Sequence, residues 1–296
     1  MLPPVRTPLV RLSNIFPDQA IYAKCELLAP GGSFKIHGAV HLLNHLSQET
    51  PRRTLVVPSM GNTALGAAYG AKAYGFSMVG VVPQAISKAK DEKLQALGVE
   101  LIKIAGGGSE LLNRAKQIAG ERQGYFVHPH LDPLWTDGYF TIAEQILEAL
   151  PECRTLVFPV GGGGLLMGSS EYILQHKARV HLVGCEAFNF PTYARYDHAR
   201  TKTIADGLIL DDPHPKVQER IKEMGIPINL VKDSEIRLAM AELYQKHGLV
   251  VEPSSAITVS FVKTNGKSLE APACLVMTGG NIGAEDFQKL IGSNSF

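Results

Sequence analysis

Residues 157–170, VFPVGGGGLLMGSS, decide the fold: an apolar strand pattern runs directly into four consecutive glycines and then into a helix pattern. Glycine permits positive φ values and lets another group approach the backbone closely. The first N–H groups of a helix have no partner within the helix, and together with the helix dipole they favour an anion. The segment therefore predicts a strand, a phosphate-binding loop and a helix, in that order.

Two well-known phosphate-binding patterns do not fit this loop. The dinucleotide pattern GxGxxG, started at Gly161 and Gly163, would need glycine where the chain has Leu166. The nucleotide P-loop would need lysine after Gly168, where Ser169 follows. The pattern thus indicates neither NAD nor ATP. A tight turn without a ligand is the alternative, but four consecutive glycines exceed what a turn requires.

Outward from this loop, short apolar strand patterns alternate with longer helix patterns. Strands with apolar residues on both faces, separated by helices, are typical of open parallel sheets. Residues 53–127 contain three strand–helix repeats of their own, which suggests a smaller unit inserted into a larger one. We therefore predict an α/β fold with two open, twisted parallel sheets in three-layer αβα lobes. The predicted large domain comprises residues 1–46 and 133–296, and the small substrate-side domain comprises residues 47–132.

The composition narrows the function class. Of the 296 residues, 45% are hydrophobic and 19% are charged, which is ordinary for a globular protein and excludes a disordered or fibrous chain. The formal net charge of +1 gives no electrostatic basis for binding nucleic acid or an anionic membrane. No apolar run approaches the ~18 residues of a membrane span, and the N-terminus has no apolar signal region. We therefore expect a cytoplasmic protein whose partner is a small molecule, with no nucleic-acid or membrane partner.

The cysteines Cys25, Cys153, Cys185 and Cys274 are scattered singly along the chain. They form no CxxC pair, and no histidine lies at zinc-ligand spacing from them. We expect them to be buried apolar residues in a reducing compartment.

A second segment, residues 25–46, places Lys35 directly after the tetrapeptide GGSF (31–34), at the start of an apolar helix. A lysine usually lies at the solvated surface, and the positive end of a helix dipole disfavours its charge. Burial would lower the pKa of the amine and keep it nucleophilic. A desolvated lysine beside a phosphate-binding loop is the arrangement that forms a Schiff base with pyridoxal phosphate.

Short polar residues follow a third strand pattern, in VPSMGNTALG (57–66), where Ser59, Gly61, Asn62 and Thr63 lead into a helix. Helix-start N–H groups and short polar side chains suit a substrate α-carboxylate or the phenolic oxygen of the cofactor. The same residues would also make an ordinary helix N-cap.

A fourth segment, LVMTGGNIG (275–283), ends an apolar strand with Thr278 before two glycines. The Thr278 hydroxyl could hydrogen-bond a heterocyclic nitrogen or cap a turn.

Together the four segments resemble the fold type II pyridoxal-phosphate enzymes, the tryptophan synthase β-like superfamily, and within it the serine/threonine dehydratase and serine racemase branch. The resemblance covers almost the whole chain. Its blocks occur in the family's order: TPLVRLS (7–13), AKCELLAPGGSFKIHGA (23–39), PSMGNTALG (58–66), VHPHLDP (127–133), GGGGLLMG (161–168), TIADGL (203–208), VVEPSSA (250–256) and TGGNI (278–282).

The resemblance implies roles for individual residues. Lys35 would hold pyridoxal 5'-phosphate covalently and then act as the general base that takes the α-proton. Asn62 would contact the phenolic oxygen, and Thr278 would face the pyridine nitrogen. The cofactor-binding residues would be Phe34, Lys35, Asn62, Gly161, Gly162, Gly163, Gly164, Glu252 and Thr278. The substrate carboxylate would be received by Ser59, Gly61 and Thr63.

The activity implied by the resemblance is β-elimination. The enzyme would be a dehydratase, or ammonia-lyase, that converts L-serine, L-threonine or a related β-hydroxy amino acid into a 2-oxo acid and ammonia. A neutral hydroxyl at Thr278 would leave the ring nitrogen largely unprotonated, which suits elimination better than transamination.

Alternatives to elimination remain open. The order Gly61-Asn62-Thr63 resembles cysteine synthases and threonine synthases, so a β-replacement synthase is the second hypothesis. Serine racemases place a serine where this chain has Met60, which cannot carry a proton, so racemisation is disfavoured. A third hypothesis is a cofactor-binding scaffold without catalysis, because fold alone does not establish function.

The resemblance also bears on metal binding and assembly. Glu186 matches a divalent-cation ligand of some dehydratases, but the partner positions carry Phe190 and Thr192 instead of an acid. We therefore predict no metal site, with Glu186 as a weak candidate. The family implies a homodimer. The chain ends soon after the TGGNI block, so we also expect no C-terminal regulatory domain.

Overall fold

A computed structural model describes residues 5–49, 53–59, 61–86, 88–128, 130–194, 200–210, 212–266 and 269–292. The strands are β1 (Leu9–Arg11), β2 (Ile21–Cys25), β3 (Leu55–Pro58), β4 (Met78–Pro83), β5 (Glu100–Ile104), β6 (Tyr125–Phe126), β7 (Thr155–Pro159), β8 (His181–Ala187), β9 (Ile228–Val231) and β10 (Ala273–Met277). The helices are α1 (Lys35–Leu46), α2 (Asn62–Tyr74), α3 (Lys88–Ala96), α4 (Gly108–Glu121), α5 (Pro133–Thr136), α6 (Phe140–Ala149), α7 (Gly164–Gln175), α8 (Pro215–Glu223), α9 (Asp233–His247), α10 (Pro253–Asn265) and α11 (Ala284–Ile291).

The chain divides into two compact units. Of the described residues, unit 1 contains Val5, Arg6 and those from Ala29 to Tyr139, and unit 2 contains Thr7–Leu28 and those from Phe140 onward. Each unit has its own sheet with helices between the strands, so the predicted α/β class with two sheets is confirmed. The domain limits 47–132 stay a prediction: the strands of the unit 1 sheet fall within them, while the compact unit also includes α1 and α5.

Unit 1 contains a parallel sheet in the order β5-β4-β3-β6. All four residues of β3 are buried, as expected for a central strand covered on both faces. Its core joins these strands to α4, with Val56, Val81, Leu111 and Ile118 in one buried cluster. The carboxyl end of β3 leads through Ser59 and Gly61 into α2, which positions the polar segment of this unit.

Unit 2 contains a sheet in the order β1-β2-β10-β7-β8-β9. The central strands β7 and β10 are buried throughout and run parallel, so their carboxyl ends meet at one edge of the sheet. The edge strand β1 is antiparallel to β2, which differs from the parallel sheet that we predicted. Residues 12–20 join these two strands without a helical crossover, and only antiparallel neighbours can be joined so briefly.

The predicted burial of the cysteines is confirmed. All four are buried and unpaired, and burial raises the pKa of the Cys25 thiol to about 12 and that of Cys153 to about 11. These thiols are therefore neutral side chains of the core. Within the described part of the chain, no helix is both long enough and apolar enough to cross a membrane.

Candidate active site

Lys35 is the first residue of α1 in unit 1 and lies against two aromatic rings. Its amine nitrogen is 4.6 Å from the centre of the Phe34 ring and 5.7 Å from the centre of the Tyr139 ring. The two ring centres are themselves 4.8 Å apart. Tyr139 is fully buried, and its hydroxyl oxygen accepts a 2.6 Å hydrogen bond from the Trp135 indole N–H. The lysine therefore lies on two contacting aromatic rings, of which Tyr139 is held in the core.

The environment of Lys35 changes the chemistry of its amine. Desolvation by burial lowers the pKa of Lys35 from 10.5 to about 8. The positive end of the α1 dipole acts in the same direction. With this pKa, on the order of a tenth of the amine is neutral at pH 7 and about half at pH 8. A neutral amine is both a nucleophile toward an aldehyde and a base.

Close glycine contacts fix the position of α1 within unit 1. A Cβ atom on Gly66 of α2 would lie 2.8 Å from the carbonyl carbon of Lys35. A Cβ atom on Gly38 of α1 would lie 2.9 Å from the Trp135 indole, and one on Gly138 would lie 2.8 Å from the Cα of Gly38. Any side chain at these positions would collide with backbone or ring atoms. The sequence does not single out these glycines, because only the folded structure shows which atoms a side chain at each position would meet.

The polar segment after β3 folds back on itself. The Ser59 hydroxyl oxygen accepts hydrogen bonds from the backbone N–H groups of Gly61, at 3.0 Å, and Ala64, at 3.1 Å. Ser59 therefore caps the start of α2, the ordinary role weighed above, and its own hydroxyl hydrogen is left for another acceptor. Asn62 is the first residue of α2, one helical turn before Gly66 and on the same face, and Thr63 beside it is buried.

A cation that sequence reasoning missed lies beside this segment. The ammonium nitrogen of Lys90 in α3 is 3.2 Å from the point where a Cβ atom of Gly61 would lie. Lys90 thus places positive charge where a carboxylate is expected. Nothing in the sequence distinguishes it from the surface lysines of the same helix.

The glycine loop of unit 2 has the geometry of an anion cradle. It follows β7, and its third glycine, Gly163, adopts a left-handed φ of +79° as the N-cap of α7. In the part of the chain that the structure describes, none of the backbone N–H groups of residues 161–166 donates to a protein acceptor. Six consecutive N–H donors at a helix start suit the oxygens of a phosphate.

Neighbouring backbone makes this loop require glycine. A Cβ atom on Gly161 would lie 2.9 Å from the Cα of Leu208 and 3.1 Å from the carbonyl oxygen of Gly207. A Cβ atom on Gly163 would lie 2.5 Å from a methyl carbon of Val217, the buried residue of α8. Packing and conformation therefore both exclude larger residues here.

Thr278 follows β10 at the same sheet edge and belongs to a buried hydrogen-bond cluster. Its hydroxyl oxygen is 3.1 Å from the hydroxyl oxygen of Ser255, which is also 2.7 Å from both the N–H and the carbonyl oxygen of Gly279. The backbone N–H of Glu252, the N-cap residue of α10, donates to the same carbonyl at 3.0 Å. Ser255 is a site residue that sequence reasoning missed, because only the fold brings α10 against the end of β10.

The predicted site residues thus fall into two groups, one in each unit. In unit 1 the structure groups Phe34 and Lys35 at the start of α1 and Ser59, Gly61, Asn62 and Thr63 at the start of α2. In unit 2 it groups the four glycines, Glu252 and Thr278 at the carboxyl edge of β7 and β10. In unit 1, an amine with a lowered pKa suits an aldehyde. In unit 2, a row of N–H donors without described protein partners suits a phosphate, and a buried hydroxyl suits a heterocyclic nitrogen. Each group by itself fits one part of a phosphorylated pyridine aldehyde.

Glu186, the weak metal candidate, lies near the end of β8 with its oxygens already engaged. Its carboxylate accepts hydrogen bonds from the backbone N–H groups of Thr192, Tyr193 and Ala194 at 2.9–3.1 Å. Burial raises the pKa of Glu186, with these N–H donors acting in the opposite direction. Among the described residues, no cluster of three or more His, Cys, Asp or Glu side chains could hold a metal ion. Met60, on which the argument against racemisation depends, lies outside the described residues.

Comparisons with known proteins place this geometry in a family context. The family model described as "Pyridoxal-phosphate dependent enzyme" matches residues 2–279. L-threonine ammonia-lyase from Thermotoga maritima is 32% identical over 278 residues, which cover 92% of this chain and 69% of the relative. L-threonine dehydratase catabolic TdcB from Staphylococcus aureus is 31% identical over 291 residues, covering 94% of this chain and 84% of the relative. The solved structure of a fungal L-serine ammonia-lyase from Rhizomucor miehei shares the fold, with a TM-score of 0.86, 23% identity and 97% of each chain covered.

Proposed function

This chain belongs to the family of pyridoxal-phosphate dependent enzymes, and we propose that it is an ammonia-lyase that converts L-threonine or L-serine into a 2-oxo acid and ammonia. The predictions of the cofactor and of a β-eliminating lyase are confirmed by the family match and by the named activities of the relatives. The observation in the structure that carries the proposal is Lys35, whose amine has a pKa of about 8 and lies on the Phe34 and Tyr139 rings.

Each unit would supply part of the reaction. When bound, the cofactor supplies an electron sink for the bonding electrons at the substrate Cα. Lys35 would bind the cofactor at its aldehyde carbon and, once displaced by substrate, take the proton from Cα, because its amine is substantially neutral near pH 8. Phe34 and Tyr139 would keep water away from that amine, which maintains its lowered pKa.

The remaining cofactor contacts are proposed from the donors that each residue offers. The N–H groups of Gly161, Gly162, Gly163 and Gly164 would bind the phosphate, since they donate to no other described group. Asn62 would contact the phenolic oxygen, and Thr278 would face the ring nitrogen with Glu252 close to it.

The substrate carboxylate would bind at the start of α2. Ser59 retains a hydroxyl hydrogen to donate, and Thr63 adds a second hydroxyl. The N–H of Gly61 donates to Ser59, so the contribution of Gly61 would be the open space that a side chain would close. Lys90 beside Gly61 would add the positive charge that a carboxylate needs.

A β-replacement synthase is the second candidate, and the order Gly61-Asn62-Thr63 is the observation that favours it. One assay separates the two reactions: purified holoenzyme is given serine, threonine or 3-hydroxyaspartate, with and without sulfide, and 2-oxo acid and amino-acid products are measured, with chiral analysis of serine. The lyase predicts 2-oxo acid without sulfide. A product that forms only with sulfide, or conversion of L-serine into D-serine alone, would contradict it.

Variants test the role of Lys35 in the same assay. Lys35→Ala should lose the visible absorption band of the bound cofactor and all turnover, because no other amine would replace it. Lys93→Ala, which removes an exposed lysine of α3, is the matched control and should retain both. If Lys35→Ala kept an unchanged absorption band, the assignment of Lys35 would be wrong.

We further propose a cytoplasmic homodimer. The four unpaired cysteines support a reducing compartment. Leu28 and Val250 are exposed apolar residues of unit 2, and their exposure supports apolar contacts with a second copy. Sedimentation of the purified protein tests this: a dimer that Leu28→Asp converts to a monomer is expected, and a wild-type monomer would contradict it.

A further inference from the structure

The glycine loop of unit 2 (residues 161–164) lies between two walls that come from later in the chain. On one side, a Cβ atom on Gly161 would lie 2.9 Å from the Cα of Leu208. On the other side, a Cβ atom on Gly163 would lie 2.5 Å from a methyl carbon of Val217 in α8. The N–H donors of the loop therefore keep one arrangement as long as both walls stay in place.

Thr192 holds the wall beside Gly161. Its hydroxyl donates a 3.1 Å hydrogen bond to the carbonyl oxygen of Leu210, two residues after Leu208. Thr192 is itself buried, and its backbone N–H donates to the Glu186 carboxylate at 3.1 Å. This wall is thus tied to the end of β8, the strand that contains Glu186.

Tyr193, the next residue, holds the second wall at the start of α8. Its backbone N–H donates to the Glu186 carboxylate at 2.9 Å, and its hydroxyl oxygen accepts a 3.2 Å hydrogen bond from the backbone N–H of His214. The carbonyl oxygen of His214, the N-cap residue, accepts in turn from the N–H of Val217 at 3.0 Å. Two successive hydrogen bonds therefore join the Tyr193 hydroxyl to the residue that packs against Gly163.

The attachment of α8 depends on contacts of this kind. All nine of its residues are described, and Val217 is the one that is buried. Toward its far end, Arg220 donates to the Ser170 hydroxyl of α7 at 2.8 Å. A helix this short gains little stability from its own hydrogen bonds, so its tertiary contacts determine where it lies.

We propose that Thr192 and Tyr193 are positioning residues that hold the two walls of the glycine loop and thereby set its affinity for the cofactor's phosphate. The inference rests on the proposed function, since it needs the loop to bind that phosphate. Donors that are already in place when the anion arrives lose less conformational entropy on binding. Loosening either wall should therefore weaken the contact with the phosphate and leave the reaction of Lys35 with the aldehyde unchanged.

Pyridoxal 5'-phosphate and pyridoxal test the proposal, because they differ only in the phosphate group. Purified enzyme is freed of its cofactor and titrated with each compound, and the visible absorption band gives the two dissociation constants. Tyr193→Phe and Thr192→Val each remove one hydroxyl and preserve the shape of the side chain. Each should raise the dissociation constant of pyridoxal 5'-phosphate about two- to tenfold, as expected for one hydrogen bond, and leave that of pyridoxal unchanged.

Tyr172→Phe is the matched control. Tyr172 is a tyrosine of α7, the helix that follows the glycine loop, and its hydroxyl makes no hydrogen bond to a described residue. Its substitution should change neither dissociation constant. The two test variants act on different walls, so a failure of one to fold leaves the other to decide.

The double variant Tyr193→Phe/Val217→Ala tests the route through α8. If Tyr193 acts through Val217, its substitution should have little further effect once the Val217 side chain no longer packs against Gly163. Fully additive losses in the double variant would contradict this route.

Two results in the single variants would overturn the inference. One is an equal loss of affinity for both compounds, which would indicate general damage to unit 2, and the other is an unchanged affinity for both. Equal binding of the two compounds by the wild type would overturn it together with the assignment of the phosphate to the glycine loop. A wild type that prefers pyridoxal 5'-phosphate but has no lyase activity would instead contradict the proposed function alone.

Discussion

Gly66 and Lys35 are in direct backbone contact: a Cβ atom on Gly66 would lie 2.8 Å from the carbonyl carbon of Lys35 and 2.9 Å from its Cβ atom. Helix α2 therefore passes the first residue of α1 without any side chain between them. The group that carries the proposed chemistry and the helix that begins with Asn62 are thus held in one fixed arrangement within unit 1.

Gly66→Ala should disturb Lys35 more than it disturbs the fold. The added methyl group meets backbone, which cannot rotate away, so α1 must shift. We expect cofactor affinity to fall about tenfold or more and the free energy of unfolding to fall by about 1–3 kcal/mol. Absorbance titration and chemical denaturation measure the two effects.

Gly120→Ala in α4 is the matched control, because a Cβ atom there would meet no atom within 4 Å. It should leave cofactor binding unchanged and stabilise the helix by up to about 1 kcal/mol. Equal cofactor affinity in both variants would show that the contact between Gly66 and Lys35 does not position the amine.

The desolvated amine of Lys35 should make the stability of the apoprotein depend on pH. The folded-state pKa of Lys35 is about 8, below the 10.5 of the unfolded chain. The cost of burying the charge is therefore fully present below pH 8, and stability is recovered as the pH rises from about 8 to 10.5, where the unfolded state binds the extra proton.

Lys35→Met removes this cost while preserving the length of the side chain. At pH 7 the free energy of unfolding of the apo variant should exceed that of the wild type by about 1–2 kcal/mol. This difference should shrink above pH 8. Denaturation curves across this pH range measure it. A constant difference at every pH would mean that the amine is not desolvated.

Much of the fold was predictable because the signals were local. The strands β7 and β10 are buried throughout, so each reads as an unbroken apolar run that ends in glycine or threonine. The four glycines could be singled out because a turn needs fewer of them. Lys35 could be singled out because the positive end of a helix dipole disfavours a lysine.

Other features depend on neighbours distant in the chain and leave no local signal. Ser255 belongs to the site because its hydroxyl hydrogen-bonds the backbone of Gly279. Gly66 must be glycine because it lies against the backbone of Lys35. Lys90 reads as one of several lysines in a charged helix until the fold places it beside Gly61. The antiparallel pairing of β1 likewise follows from a short connection, which the strand pattern alone does not specify.

Lys90 should contribute to substrate binding through its charge. In Lys90→Gln the side chain keeps similar size but no longer attracts a carboxylate beside Gly61. We expect KM for serine and threonine to rise about tenfold, with a smaller change in kcat, since one charge-assisted hydrogen bond contributes about 1.5–3 kcal/mol. Lys93→Gln in the same helix is the control and should leave KM unchanged. A loss of kcat alone, with KM intact, would argue against a contact with the carboxylate.

Glu186 should stabilise its loop without a cation. Its carboxylate already accepts three N–H hydrogen bonds, so a divalent ion would have to displace Thr192, Tyr193 and Ala194. Chelator treatment and added Mg²⁺ should therefore leave the activity and the melting temperature of the wild type unchanged.

Glu186→Gln replaces one accepting oxygen by an NH₂ group that faces N–H donors, and it should lower the free energy of unfolding by about 1–3 kcal/mol. Glu270→Gln, at a glutamate that is 65% exposed, should change it by less than about 0.5 kcal/mol. A rise in melting temperature with Mg²⁺ that Glu186→Gln abolishes would instead make this carboxylate a cation ligand.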